Sequence, residues 1–276
     1  MQRPLFPDRA AKLGLVAIAL VAASAGAHDL FLKPRHFFAP PNSDVPILVI
    51  NGTFTKSENS ITRDRLISIG VRGPGGATAI DTSDWDASGD TSRLTVRVGE
   101  SGTYAIAAST RPRMIELTAK EFNEYLRTDG IPDVLEARRR RGELQRGARE
   151  RYHKHVKGIV QVGATRTDEP ADAFGHPAEL VPVDHPYQVR VGQTLRVRAL
   201  VDGQPAANQY VVAGGRTWAG GRIVQRGVRT DSMGVARIPI RARGAWYIKF
   251  IHMTRLENDA EADYESRWAS LTFGVR

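Results

Sequence analysis

Seven histidines carry most of the metal-binding chemistry open to this sequence, because it contains no cysteine and only four methionines. His28 is the one in the most informative position. If the chain is cut between Ala27 and His28, the new α-amine and the imidazole Nδ1 can close a chelate ring around one metal ion. A third imidazole would complete a T-shaped nitrogen set, a geometry that suits Cu(II) with its preference for tetragonal nitrogen and oxygen donors. The third donor is expected from His252 or His36. His252 ends the run Trp246 to His252, where a strand period of two aligns it with Trp246, Ile248 and Phe250. His36 follows the tip by eight residues and can fold back toward it. His153 and His155 stand two apart: on a strand they share a face, and on a helix they point about 200° apart. The residues around them read as helical, so a solvated pair is expected. His176 and His185 lie beside prolines in loop-like sequence and are expected at the surface. Asp29 and Glu179 are weaker oxygen-donor candidates. With no thiol and few methionines, a soft Cu(I) site is disfavoured, which leaves Cu(II), Ni(II), Co(II) or Zn(II).

Other chemistries lack their residues. There is no phosphate loop, no Gly-x-Ser-x-Gly elbow and no His-Glu-x-x-His. The acidic stretches 168–172 and 257–263 do not follow EF-hand spacing. Ser109 and Ser270 would need geometry that a sequence cannot supply. No enzyme activity is expected, and a brace-type copper oxygenase ranks last because nothing reports a flat substrate face.

The metal proposal depends on export. Arg3, Arg9 and Lys12 make a basic front, Leu13 to Ala23 run apolar, and Ala25-Gly26-Ala27 offer small residues at a cleavage point. This is the pattern of a cleaved secretory signal. Its apolar run is shorter than the ~20 residues that span a bilayer, so the mature protein is expected in the periplasm or outside the cell, not spanning a membrane. Arg3, Arg9 and Lys12 against Asp8 take two net charges from the +9 of the whole chain, leaving +7. So basic a chain suggests nucleic acid, but export argues against that partner. Much of the excess lies between Arg138 and Arg151 and reads as a solvated face.

The elements that would carry these residues are mainly β. Residues 28–117 alternate in short strands broken by Asn51-Gly52, Gly73 to Gly76 and Ser101-Gly102. From 118 to 158 the period changes. Thr118-Ala119-Lys120-Glu121 forms a capping box, Phe122, Tyr125 and Leu126 share a helical face, and Pro132 can open a second helix. Residues 159–276 return to about seven short strands with turns at Asp202-Gly203 and Asp231 to Gly234. The expectation is two immunoglobulin-like or transthyretin-like β-sandwich domains, 28–117 and 159–276, with a helical insertion at 118–158.

Several blocks look familiar together. They are Ala27 to Pro34, Glu121 to Arg127, Glu179 to Pro182 with Pro186-Tyr187, Thr230-Asp231 with Gly234, and Gly244 to Met253 followed by Trp268 to Phe273. In this order they resemble a bacterial periplasmic family of unknown function, some of whose members are described as the substrate-specific component of nickel or cobalt uptake. The resemblance covers nearly all of the mature chain. It implies a site near His28 and His252, nickel or cobalt as cargo and a metal-uptake membrane complex as partner; the nitrogen-donor reading adds Cu(II) as a candidate cargo, and another envelope protein is the alternative partner. A departure is the lack of a second membrane segment, which favours binding or delivery over direct transport. The alternative is a non-enzymatic envelope interaction module without metal, motivated by the basic run.

Overall fold

A computed structural model describes residues 28–83 and 85–276. The expected leader, residues 1–27, lies outside the described residues. In chain order the first strands are β1 (Asp29–Pro34), β2 (Phe38–Ala39), β3 (Asp44–Thr53), β4 (Lys56–Ser57), β5 (Leu66–Gly73), β6 (Gly76–Ala79), β7 (Ser92–Arg97), β8 (Gly102–Thr110) and β9 (Arg113–Leu117). Helices α1 (Ala119–Thr128) and α2 (Pro132–Arg140) follow, then the long strand β10 (Ala148–Val162). The remainder is β11 (Ala178–Pro182), β12 (Thr194–Val201), β13 (Gln204–Pro205), β14 (Tyr210–Thr217), β15 (Arg222–Arg229), β16 (Val235–Pro239), β17 (Gly244–Arg255) and β18 (Tyr264–Val275).

The mainly-β, sandwich-like expectation holds, with one difference in how the layers are made. A single central sheet runs β15-β14-β17-β18-β10-β8-β5-β6 and serves both halves. A sheet of β1, β3, β4 and β7 packs on one of its faces through Leu30, Leu32, Ile47, Val49, Leu94 and Val96. A sheet of β11, β12, β13 and β16 packs on the other through Leu180, Leu195, Val197 and Ile238. Strand β10 is the hinge of this arrangement. Its Val156, Val160 and Val162 face the first small sheet, whereas Ile159 faces the second. It pairs antiparallel with β8 and parallel with β18.

The helical segment is shorter than expected, because residues 148–158 belong to β10. Helix α1 begins as the sequence requires. Thr118 Oγ1 accepts from the Glu121 N–H and the Glu121 carboxylate accepts from the Thr118 N–H at 2.9 Å. The face Phe122, Tyr125 and Leu126 is buried against Trp268, Tyr264 and Ile251. Thr118→Ala is expected to destabilise the protein by about 1 kcal/mol, read as a lower urea midpoint with unchanged m-value. The basic run is also not uniformly solvated. Arg138 is buried, with its guanidinium 4.8 Å from the Phe122 ring centroid, and it donates to the Glu143 carbonyl at 2.7 Å.

Candidate functional site

The central sheet decides which histidines can meet. Along β17, Trp246, Ile248 and Phe250 face the β11–β12 side, and His252 follows them by the period of two. Tyr247 and Lys249 face the other way. Tyr247 packs on Phe31 and Phe54, and Lys249 Nζ donates to both oxygens of Asp29 at 2.7 Å. Asp29 follows His28 directly, so His28 and His252 lie on opposite faces of one sheet. The expected brace between them is therefore not formed. His252 Nδ1 is instead 3.1 Å from Gln209 Oε1. His36 is no nearer. It is exposed just past the far end of β1, and six strand residues at ~3.3 Å each hold it about 20 Å from the tip.

The N-terminal corner has its own contacts. His28 Nδ1 lies 3.4 Å from Glu58 Oε2, and the His28 carbonyl accepts from Lys154 Nζ. Lys154 is fully enclosed, and burial pulls its pKa down to about 8. Lys249 also reaches Asp129 at 3.1 Å. Burial raises the Asp129 carboxyl even with that partner, whereas the two carboxylates hold the Lys249 pKa above its ordinary value. Asp29 is thus occupied by a buried lysine, as is Glu179, whose Oε1 is 2.6 Å from Lys157 Nζ.

The closest grouping of imidazoles lies elsewhere. Because residues 153 and 155 are on a strand, their side chains share a face, contrary to the helical, solvated expectation. Their ring centroids are 4.9 Å apart. His176, on the loop before β11, brings its ring centroid to 5.6 Å from that of His155. Two imidazoles on one tetrahedral ion, with metal–nitrogen bonds of ~2.0 Å, have centroids about 5 Å apart. The Nε2 atoms of His153 and His155 are both buried and make no hydrogen bond among the described residues. Such orphans are rare in folded proteins. His155 Nδ1 is 2.8 Å from Ser109 Oγ on β8, which orients the ring so that Nε2 is the free atom. Glu179 fixes the third member's loop by accepting from the Phe174 N–H at 2.8 Å and the Gly175 N–H at 3.1 Å. As they stand, no three His, Asp or Glu side chains among the described residues form a closed ligand set.

His252 shares this face but does not reach the trio. In register, Arg267 stands between His252 and His153, and its guanidinium pairs with Asp202 and Glu265. His185 is a loop-bracing residue, with Nε2 3.0 Å from Thr103 Oγ1 and Nδ1 accepting from the Tyr187 N–H at 3.2 Å.

Burial is the first cause that lowers all three imidazoles of the trio, and it pushes His155 down to about 2, with His153 and His176 adding to it. All three are neutral at pH 7, the form a metal needs. In the unfolded chain these rings take protons below about pH 6.5, whereas folded His155 does not, so its contribution lowers stability as pH falls below that value. Glu150 opposes this, since burial raises its folded pKa to about 7 and folding then favours its protonated form. The comparison with His155→Gln cancels the Glu150 term. Between about pH 6 and 5, the wild type should lose ~1.4 kcal/mol more than the variant in urea denaturation.

The comparisons with known proteins give a family and no activity. No curated protein matches the chain. Among solved structures, the chain is similar to the crystal structure of a tetra-tandem repeat in the extending region of a large adhesion protein, at 11% identity and a TM-score of 0.22, over 90% of this chain and 49% of that one. At that score the likeness carries no argument, and the chain spans about half that structure's length. No helix among the described residues is long and apolar enough to cross a membrane. A family model of a domain of unknown function matches residues 25–254, and the chain accordingly belongs to the DUF4198 family.

Proposed function

We propose that this protein is an exported, non-enzymatic binder of a divalent transition metal, acting in metal uptake, delivery or homeostasis in the periplasm. In this reading the ion is held by His153 and His155 from β10 and by His176 from the neighbouring loop. The observation that carries it is the pair of buried, unpartnered Nε2 atoms on adjacent same-face positions of one strand. Nitrogen-only ligation suits Ni(II), Cu(II), Co(II) or Zn(II), and three imidazoles leave one position open for exchange. This reading requires the half-buried His176 side chain to rotate to close the set. Ser109 supports the site from behind by fixing the His155 ring.

A second reading keeps the N-terminal histidine. After cleavage before His28, the amine, Nδ1 and the Glu58 carboxylate 3.4 Å away would supply two nitrogens and one oxygen. Calorimetric titration of metal-free mature protein with Ni(II), Cu(II) and Zn(II) tests both, alongside a form extended by one N-terminal Ala. The trio predicts one site that the extension leaves unchanged. Loss of binding on extension would transfer the function to the tip, and absence of saturable binding in both forms would end the metal reading.

A further inference from the structure

A cleft of about 880 Å³ opens where the end of β10, the loop after β11, the turn before β17 and the end of β18 converge. Its volume lies in the ~300–1,000 Å³ range of small-molecule sites. Arg166, Arg190, Arg243 and Arg276 line it, and no Asp or Glu side chain does. Among the described residues none of these four guanidinium groups forms an ion pair. The adjoining cleft of about 660 Å³ is different: Asp168 and Asp184 line it, and Asp184 neutralises Arg196 at 2.6 Å. The floor of the arginine cleft is braced by Tyr187. Tyr187 donates its hydroxyl to the Ile159 carbonyl at 2.6 Å and packs edge-on against Phe38, their centroids 5.2 Å apart. Arg166 Nε is tied to the Tyr187 carbonyl at 3.1 Å, which directs its terminal nitrogens without consuming them. Arg276 lies over the Phe38 ring at 3.9 Å. With Arg276 set aside, Arg166, Arg190 and Arg243 still share a lining that contains no Asp or Glu side chain.

We propose that this cleft binds a small polyanion through its carboxylate or phosphate groups, each gripped in the fork of a guanidinium. The site is independent of the metal reading, since it shares no residue with the histidine trio. The test is calorimetry on metal-free protein at about 0.15 M salt, with tricarballylate and pyrophosphate as the two anions and sucrose as a neutral control. The expected result is saturable 1:1 binding of at least one anion and none of sucrose, with the tighter anion naming the recognised group. Arg166→Gln with Arg243→Gln should weaken binding about 100-fold. Both side chains are exposed, and circular dichroism of the double variant is the check that it folds as the wild type does. Arg241→Gln, outside the cleft, should leave binding unchanged. The proposal is overturned if neither anion binds saturably, if the double variant binds as wild type does, or if Arg241→Gln weakens binding equally.

Discussion

His155→Ala should lower the affinity of the protein for Ni(II), Cu(II) and Zn(II) by more than about 100-fold, since loss of a mere supporting partner already costs ~10–100-fold. His155 sits between the other two rings and bears one of the two orphan nitrogens, so no other single removal dismantles as much of the trio. Ser109→Ala should fall in the ~10–100-fold range, because the ring stays and only its orientation is released. His252→Ala should change nothing, as Arg267 separates that ring from the trio. Competition with a chelator of known affinity measures all three variants. Equal affinity for wild type and His155→Ala, with both folded by circular dichroism, would remove the trio from consideration.

Lys249→Ala is expected to be the most damaging single substitution for folding, at about 3–5 kcal/mol. The lysine is buried and neutralises two carboxylates at once, Asp29 and Asp129. Removing it takes away the counter-charge in direct contact with both acids and leaves them in a poorly solvated corner with only the more distant Lys154. For a chain of this size the loss corresponds to roughly 10 °C in melting temperature. Lys249→Met with Asp29→Asn and Asp129→Asn removes the charges together, so it should recover most of the loss. If the triple variant is no more stable than Lys249→Ala in thermal denaturation, the cost lies in packing and not in stranded charge.

These two sites also show why the sequence was only partly legible. Strands with apolar alternation, such as Ser92–Arg97 and Val235–Pro239, were visible because each buries one face. The Thr118 cap and the Pro132 start were visible because their chemistry is local. Strand β10 was not. It is covered on both faces and buries Glu150, Lys154, His155 and Lys157 among its valines, so the period of two is masked by charge. The partners that permit this burial are far away in the chain: Glu179 for Lys157, Ser266 for Glu150, and the His28 carbonyl for Lys154. A short window therefore reads charged residues beside an arginine run as a solvated helix. The pairing of His28 with His252 failed for a related reason. Periodicity tells which residues share a face of a strand, but not which layer covers that face.

The shared central sheet makes residue 159 an impossible place to divide the molecule. A cut there severs the last four residues of β10 from the rest of the strand and leaves each half with part of a layer and an open row of amide groups. Neither half would keep a complete core. The two sandwiches should therefore melt as one cooperative unit, with amide hydrogens of β10 exchanging only through global opening. Within that spine, His153 and His155 point to one side and Lys154, which grips the His28 carbonyl, points to the other. The two candidate ends of the protein's chemistry are thus separated by one strand's thickness and joined through three consecutive residues.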